Sequence, residues 1–283
     1  SFYIENAEIS ITGRLDSLFN AKISGSKTQD EYQSFINSNK LLSERYSNAY
    51  ANYQTSSQTG DKPKVAEYEN EIKTIQGEMT ALQKEFVRNN PGSFVAPSIL
   101  NSLSYSMEAE EIESYLKPMD SIVARIPVIM SLKERVAVMK TVVVGQKAPD
   151  FTMNDVNGNP VTLSSKIGSR LLLIDFWAAW CGPCRQENPN VARVFNEYKN
   201  KGFDIIGVSL DSKKEDWIKA ISDDKLTWTH VSDLLRGNNA AAKLYAINVI
   251  PSNFLLDEKG IIIARNLTGE ALFNKVKEVL GGK

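Results

Sequence analysis

Apolar and polar positions recur along the chain with more than one period, and the change of period divides it. Residues 1–13 (SFYIENAEISITG) alternate in two short runs, Phe2 with Ile4 and Ile9 with Ile11. With a turn near Glu5-Asn6, this pattern predicts a small β-hairpin. From 28 to 57, Tyr32, Phe35, Leu42, Tyr46, Ala49 and Tyr53 fall on one helical stripe. The stretch QTSSQTGDKP reads as a loop. A second helix is predicted over about 64–89, because Val65, Tyr68, Ile72, Ile75, Met79, Leu82 and Phe86 recur at alternating spacings of three and four. The two form an antiparallel helical hairpin, ended by Asn90-Pro91-Gly92. Three shorter helices are expected in 96–140, broken near Pro118 and Pro127.

The pattern shifts at Thr141, where VVVGQKAPDF leads into alternating strands and helices. Buried strands are predicted at 171–176 (LLLIDF) and 204–210, and shorter ones at 227–231, 252–257 and 261–265. Helices are predicted at about 182–200, 213–222 and 238–245. The turn LDEKG offers Gly260 for positive φ. A final amphipathic helix carries Leu272, Val276, Val279 and Leu280. The expected fold is therefore α/β: a mostly helical N-terminal domain with a short hairpin over 1–140, then an α/β domain over 141–283 with helices flanking a central mixed sheet.

Composition narrows the function. Of 283 residues 42% are apolar, enough for a real core, and 33 Lys plus Arg balance 34 Asp plus Glu. That balance supplies no field for nucleic acid or an anionic membrane. No apolar run is long enough to span a bilayer. The chain starts at Ser1 without a signal peptide, and an upstream segment is expected to have been removed. Only two cysteines are present. A long chain with no stray thiol suits an oxidising compartment.

Those cysteines lie in DFWAAWCGPCRQENP, where Cys181 and Cys184 form a Cys-x-x-Cys between a strand and a helix. Unsatisfied N–H groups at a helix N-terminus favour a thiolate, which is the nucleophile in disulfide exchange. One turn of helix lets Cys184 reach Cys181 and resolve a mixed disulfide. Pro183 suits the first helical turn, where its missing N–H costs nothing. Trp177 and Trp180 are expected to wall the dithiol, and Trp180, Gly182 and Pro183 to meet substrate. Structural zinc needs four ligands, and the chain offers one cysteine pair and one histidine, His230. A purely structural bridge would close a loop too short to restrain the unfolded chain much. The Cys181–Cys184 redox disulfide is thus the working group, with no other cofactor and no metal.

Two carboxylates sit within reach. Asp175 shares a strand face with Leu171 and Leu173, so burial should raise its pKa toward neutrality, where it can carry a proton. Glu187 lies on the helical face of Cys184 and reads as a second proton carrier or as a first-turn acid. Ile250-Pro251 opens the strand SNFLLD; a cis bond there would bring free main-chain groups beside the dithiol for a substrate strand. His230 reads as a satisfied strand or loop histidine.

Taken together, GQKAPDF (145–151), DFWAAWCGPC (175–184), GVSLD (207–211) and Ile250-Pro251-Ser252 make residues 145–283 resemble the TlpA/ResA-like branch of the thioredoxin superfamily. The stretch between Cys184 and Pro251 exceeds that of minimal thioredoxins by about one strand–helix unit, as in TlpA-like and peroxiredoxin-like members. The resemblance implies that Cys181 attacks and Cys184 resolves, that Asp175 occupies the buried acid position, Glu187 the ResA-type glutamate and Pro251 the cis-proline. GSKTQDEYQSF and NPGSFVAPSIL make 1–140 resemble the latter part of the DUF4369-type module of Bacteroidetes envelope proteins. This implies an exported chain in the periplasm or cell envelope.

The expected activity is reduction of protein disulfides, with protein thiols as substrates and an upstream dithiol as electron donor. One alternative is a peroxiredoxin-like thiol peroxidase, although Ala178 stands three residues before Cys181 where that chemistry wants Thr or Ser. Another makes the helical half a binding or homodimerisation module with an accessory redox domain.

Overall fold

The computed structural model describes residues 2–281. The chain divides into two compact units, Ser1–Glu134 and Arg135–Lys283.

The first unit opens with β1 (Ser10–Thr12), paired antiparallel to β2 (Lys22–Ser24) with Ile11 opposite Ile23. The pairing expected between the Phe2 and Ile9 runs does not form. The Tyr3 backbone N–H instead donates to Gln29 Oε1 at 3.0 Å, which ties the first run to the following helix. Two long helices come next, α1 (Lys27–Thr59) and α2 (Lys62–Asn89). Ser26 caps α1 by accepting the Gln29 N–H, and Asp61 caps α2 by accepting that of Lys64. The predicted loop QTSSQTGDKP is mostly helix. Thr55 and Thr59 turn their hydroxyls back onto carbonyls of their own helix, so these polar residues do not compete with it. Gly60, left-handed at φ 72°, ends α1. Phe35 and Phe86 meet across the seam, ring centroids 4.9 Å apart. Helices α3 (Ala96–Leu103) and α4 (Ala109–Leu116) follow, and α5 (Pro127–Thr141), which Pro127 begins as a proline can, continues past Glu134 into the second unit. Among the described residues no helix is long and apolar enough to cross a membrane.

The second unit holds a seven-stranded mixed sheet. Its elements are β3 (Thr152–Asp155), β4 (Pro160–Thr162), β5 (Leu171–Trp177), α6 (Gly182–Tyr198), β6 (Phe203–Ser209), α7 (Lys214–Asp223), β7 (Thr229–Ser232), α8 (Ala240–Leu244), β8 (Ser252–Asp257), β9 (Ile262–Arg265) and α9 (Gly269–Leu280). The strand order is β4-β3-β7-β6-β5-β8-β9. The strands β5, β6 and β7 run parallel, and the remaining pairings are antiparallel. This is the thioredoxin-like arrangement. The β3–β4 hairpin has no counterpart in the predicted elements: its strands are short, and Pro160 marks an edge strand that its few apolar residues do not announce.

The core lies on β5, β6 and β8, where Leu171–Ile174, Phe176, Ile205, Ile206, Val208 and Phe254–Leu256 are buried. Each such side chain contributes roughly 1.5–3 kcal/mol on leaving water. Tyr245 packs edge-on against Phe254 and donates its hydroxyl to the Pro149 carbonyl at 2.6 Å, which fixes the chain just before Ile250-Pro251.

Candidate active site

Cys181 sits where β5 has ended and α6 begins. As N-cap of α6 its Sγ accepts the Cys184 backbone N–H at 3.2 Å. A helix-terminal N–H aimed at sulfur favours a thiolate there. The two cysteines are joined as a disulfide, Cα atoms 5.2 Å apart. They differ in access: Cys181 is 5% exposed and Cys184 1%. Gly182 and Pro183, both exposed, form the first turn. The Ile250–Pro251 bond is cis, and the Ile250 carbonyl oxygen stands 3.7 Å from Cys181 Sγ.

The loop before Cys181 is held by a residue that the sequence reading did not single out. Buried Asp211 receives the Ala179 backbone N–H on both carboxylate oxygens, at 3.0 and 3.2 Å, and the Ser209 hydroxyl at 2.8 Å. The only signal for it was an acid closing a hydrophobic strand in GVSLD. The two tryptophans expected to wall the dithiol differ in exposure. Trp180 is 56% exposed beside the dithiol, but Trp177 is buried on the sheet, its ring 5.4 Å from that of His230. Alternation along β5 puts Trp177 on the face of Asp175.

Asp175 occupies a strand whose seven positions are all buried. Loss of hydration, reinforced by the Glu187 carboxylate, pushes its pKa up to about 7. Glu187 itself is committed elsewhere: its Oε1 accepts the Gly269 N–H at 2.7 Å and the Asn190 amide at 2.8 Å. It therefore ties α6 to the start of α9 while raising Asp175 through space.

Register places Asn253, Asp175, Gly207 and His230 in one row across β8, β5, β6 and β7. His230 is buried, and neither ring nitrogen has a well-formed hydrogen bond, the Leu226 backbone offering only a marginal contact. The expected satisfied histidine is thus corrected. Burial pulls its pKa down to about 3, so it is neutral at pH 7. Glycine at 207 makes room for the ring: an added Cβ would fall 2.5 Å from His230 Nδ1 and 3.2 Å from Trp177 Nε1. Gly207→Ala is expected to destabilise by about 1–3 kcal/mol through overpacking. Combination with His230→Ala should then cost less than the sum of the two single changes. Urea denaturation of the three variants checks this.

Among the described residues no group of three or more His, Cys, Asp or Glu could hold a metal ion. What the arrangement can do is cycle a dithiol: a sulfur at a helix N-terminus, a second sulfur one turn on and more deeply buried, and a carboxyl that titrates near neutrality.

Residues 144–265 match the AhpC/TSA family. The chain is similar to the thioredoxin-like protein YneN of Bacillus subtilis, 37% identical over 42% of this chain and 68% of the relative. It is also similar to the thiol-disulfide oxidoreductase ResA of Bacillus thuringiensis subsp. konkukian, 28% identical over 48% of this chain and 76% of the relative. A solved thiol-disulfide oxidoreductase from Bacteroides fragilis is 41% identical over 48% of this chain and 100% of its own, with a TM-score of 0.45.

Proposed function

Because the chain belongs to the TlpA/ResA-like thiol-disulfide oxidoreductases of the thioredoxin superfamily, we propose that it reduces protein disulfides in the cell envelope, with Cys181 attacking and Cys184 resolving. The observation that supports this reading is the unequal setting of the two cysteines: Cys181 caps the helix and its sulfur accepts the Cys184 N–H, and Cys184 lies within the first turn and is the more deeply buried.

The Cys181 thiolate attacks one sulfur of the substrate disulfide, whose other sulfur leaves as thiolate and takes a proton. Cys184, deprotonated, then displaces the bound substrate sulfur. Two electrons pass from the dithiol to the substrate, and the protein is left as the Cys181–Cys184 disulfide. Asp175 accepts the Cys184 proton, because a carboxyl with a pKa near the working pH is suited to that transfer. Substrate main chain pairs beside Ile250 and Pro251, and its side chains rest on Trp180, Gly182 and Pro183. An upstream dithiol returns the protein to its reduced state. Both cysteines of the chain belong to the couple, which suits an oxidising address outside the cytoplasm. Residues 1–140 serve as an accessory or docking domain.

Glu187 acts by position. Glu187→Gln should lower the apparent pKa of Asp175, shifting the pH–rate curve of exchange to lower pH, and should loosen the Gly269 contact with little loss of maximal rate. Rates measured from pH 5 to 9 decide it.

The proposed activity is tested by reduction of insulin disulfides with dithiothreitol as donor. Catalytic amounts of the protein should bring forward the precipitation of the released B chain. No acceleration, together with oxidation of reduced substrate by the disulfide form, would reverse the assignment.

A further inference from the structure

The loop joining β7 to α8, residues 233–239 (DLLRGNN), takes no part in the dithiol chemistry, yet it is built toward it. The Asp233 carboxylate receives the Leu235 N–H at 3.0 Å, the Asn239 amide at 2.9 Å and the Ala240 N–H at 2.8 Å. Buried Asn239 in turn accepts the Ala242 N–H at 2.9 Å. Between these anchors Leu234 and Arg236 hold φ of 58° and 52°. That is left-handed backbone, which a non-glycine residue enters at a cost and keeps only where its surroundings demand it. The outcome is specific: Leu234 packs against the core, and the exposed Arg236 lays its guanidinium over the Trp180 ring, 5.5 Å from the centroid. Trp180 is the residue immediately before Cys181.

Arg236 has no carboxylate partner among the described residues. The other cations beside Trp180 are committed: Arg185 is engaged by Asp224 and Asp223, and Lys219 by Asp223. They belong to a cavity of about 260 Å³ that Trp180 also lines, with Asp211, Asp216 and Asp223 in its wall. Arg236 is thus a cation without a carboxylate partner, held over the ring of the residue that precedes the nucleophile. A guanidinium resting on an aromatic face keeps its N–H edge outward, in the geometry that grips a carboxylate with two bonds.

We propose that Arg236 determines substrate specificity: with Trp180 it forms an edge that selects protein segments carrying a carboxylate beside the disulfide-bonded cysteine. The inference rests on the reading of the chain as a reductase of protein disulfides. Docking over Trp180 removes water from the guanidinium and strengthens its attraction for an acidic neighbour. The effect falls on encounter and binding, and sulfur chemistry proceeds as before.

The test uses the full chain, reduced beforehand, in single turnover against three peptides. Each carries one cysteine as an uncharged 2-pyridyl disulfide, flanked on both sides by Glu, by Gln or by Lys. Cys181 thiolate attacks the peptide sulfur and pyridine-2-thione leaves, which reports the rate. Cys184 then releases the peptide thiol, and the protein ends oxidised. Rates are divided by those of dithiothreitol on the same peptides, which removes their intrinsic reactivity.

The normalised Glu-to-Lys ratio should be roughly tenfold at low salt and fall toward one at about 1 M salt. Arg236→Gln should bring the ratio to within about twofold of one, Arg236→Lys should keep its direction, and Arg236→Glu should invert it. A wild-type ratio of one, or the same ratio in wild type and Arg236→Gln, overturns the proposal and leaves the reductase reading standing. The salt dependence of the unmodified chain tests it even where a variant fails to fold. Failure of all three peptides to react faster than with dithiothreitol would instead sink the reductase reading, and this inference with it.

Discussion

Cys181→Ser should lower thiol–disulfide exchange by on the order of a thousandfold or more, because it removes the nucleophile and with it the covalent route. Cys184→Ser should behave differently. Its first attack survives, since Cys181 still caps α6 and keeps the backbone N–H of residue 184, but nothing resolves the product. The variant should accumulate a mixed disulfide with substrate, visible as a mass increase that dithiothreitol removes. Intact-mass spectrometry after incubation with a disulfide substrate separates the two roles. Accumulation on Cys181→Ser instead would exchange them, and would contradict the exposure difference between the two sulfurs.

Asp175→Asn should slow resolution of the mixed disulfide by about a hundredfold and at the same time stabilise the fold at alkaline pH. Asp175 departs from the usual carboxylate: its folded pKa of about 7 lies above the value near 3.8 that it has when unfolded. Between those values the folded chain holds a proton that the unfolded chain has lost, so stability falls as pH rises through this window and levels off above it. The full difference is on the order of 4 kcal/mol. The amide, which never ionises, should therefore gain little near pH 4 and about 2–4 kcal/mol by pH 8, after the cost of its own burial. His230 works with the opposite sign. Its folded pKa of about 3 lies below its unfolded 6.5, so its contribution is present above 6.5 and is lost as pH falls toward 3. From about 4 to 6.5 the two slopes oppose each other, and wild-type stability should be nearly flat there. Removing Asp175 leaves the His230 slope alone, so the variant should lose stability on acidification where wild type does not. Urea unfolding across pH 4–8, together with stopped-flow resolution rates, measures both effects. A pH–rate limb near 7 that survives the Asn substitution would exclude Asp175 as the proton acceptor.

What was legible in the sequence follows physical logic. LLLIDFW announces a strand buried on both faces, and the cysteine pair after it needs no long-range information. The helices of the first unit show through their three-four spacing, and the β8–β9 hairpin through its turn at Asp257–Gly260. The elements that escaped are those whose cause is distant or weak. The β3–β4 hairpin has too few apolar residues to stand out. Polar QTSSQT continues α1 because its hydroxyls bond back within the helix, which composition does not reveal. The pairing of β1 with β2 across a long connection replaced a local turn that looked adequate. At the site, Asp175 is conspicuous because an acid among leucines is conspicuous. Asp211 matters only because the Ala179 backbone arrives from 32 positions away, and Arg236 only because two left-handed residues swing it onto Trp180. Trp177 and His230 illustrate the same limit. Their contact depends on Gly207 opening a space between them, and a glycine in a strand does not say which neighbours will use it.

The reduction potential of the Cys181–Cys184 couple, set by equilibration with glutathione or dithiothreitol and read with the single Cys→Ser variants as controls, tests the central claim most directly. A protein-disulfide reductase should give a reducing value, near the roughly −270 mV of thioredoxin. A value near −120 mV, the range of a disulfide donor, would contradict it and make the protein an oxidase acting through the same residues.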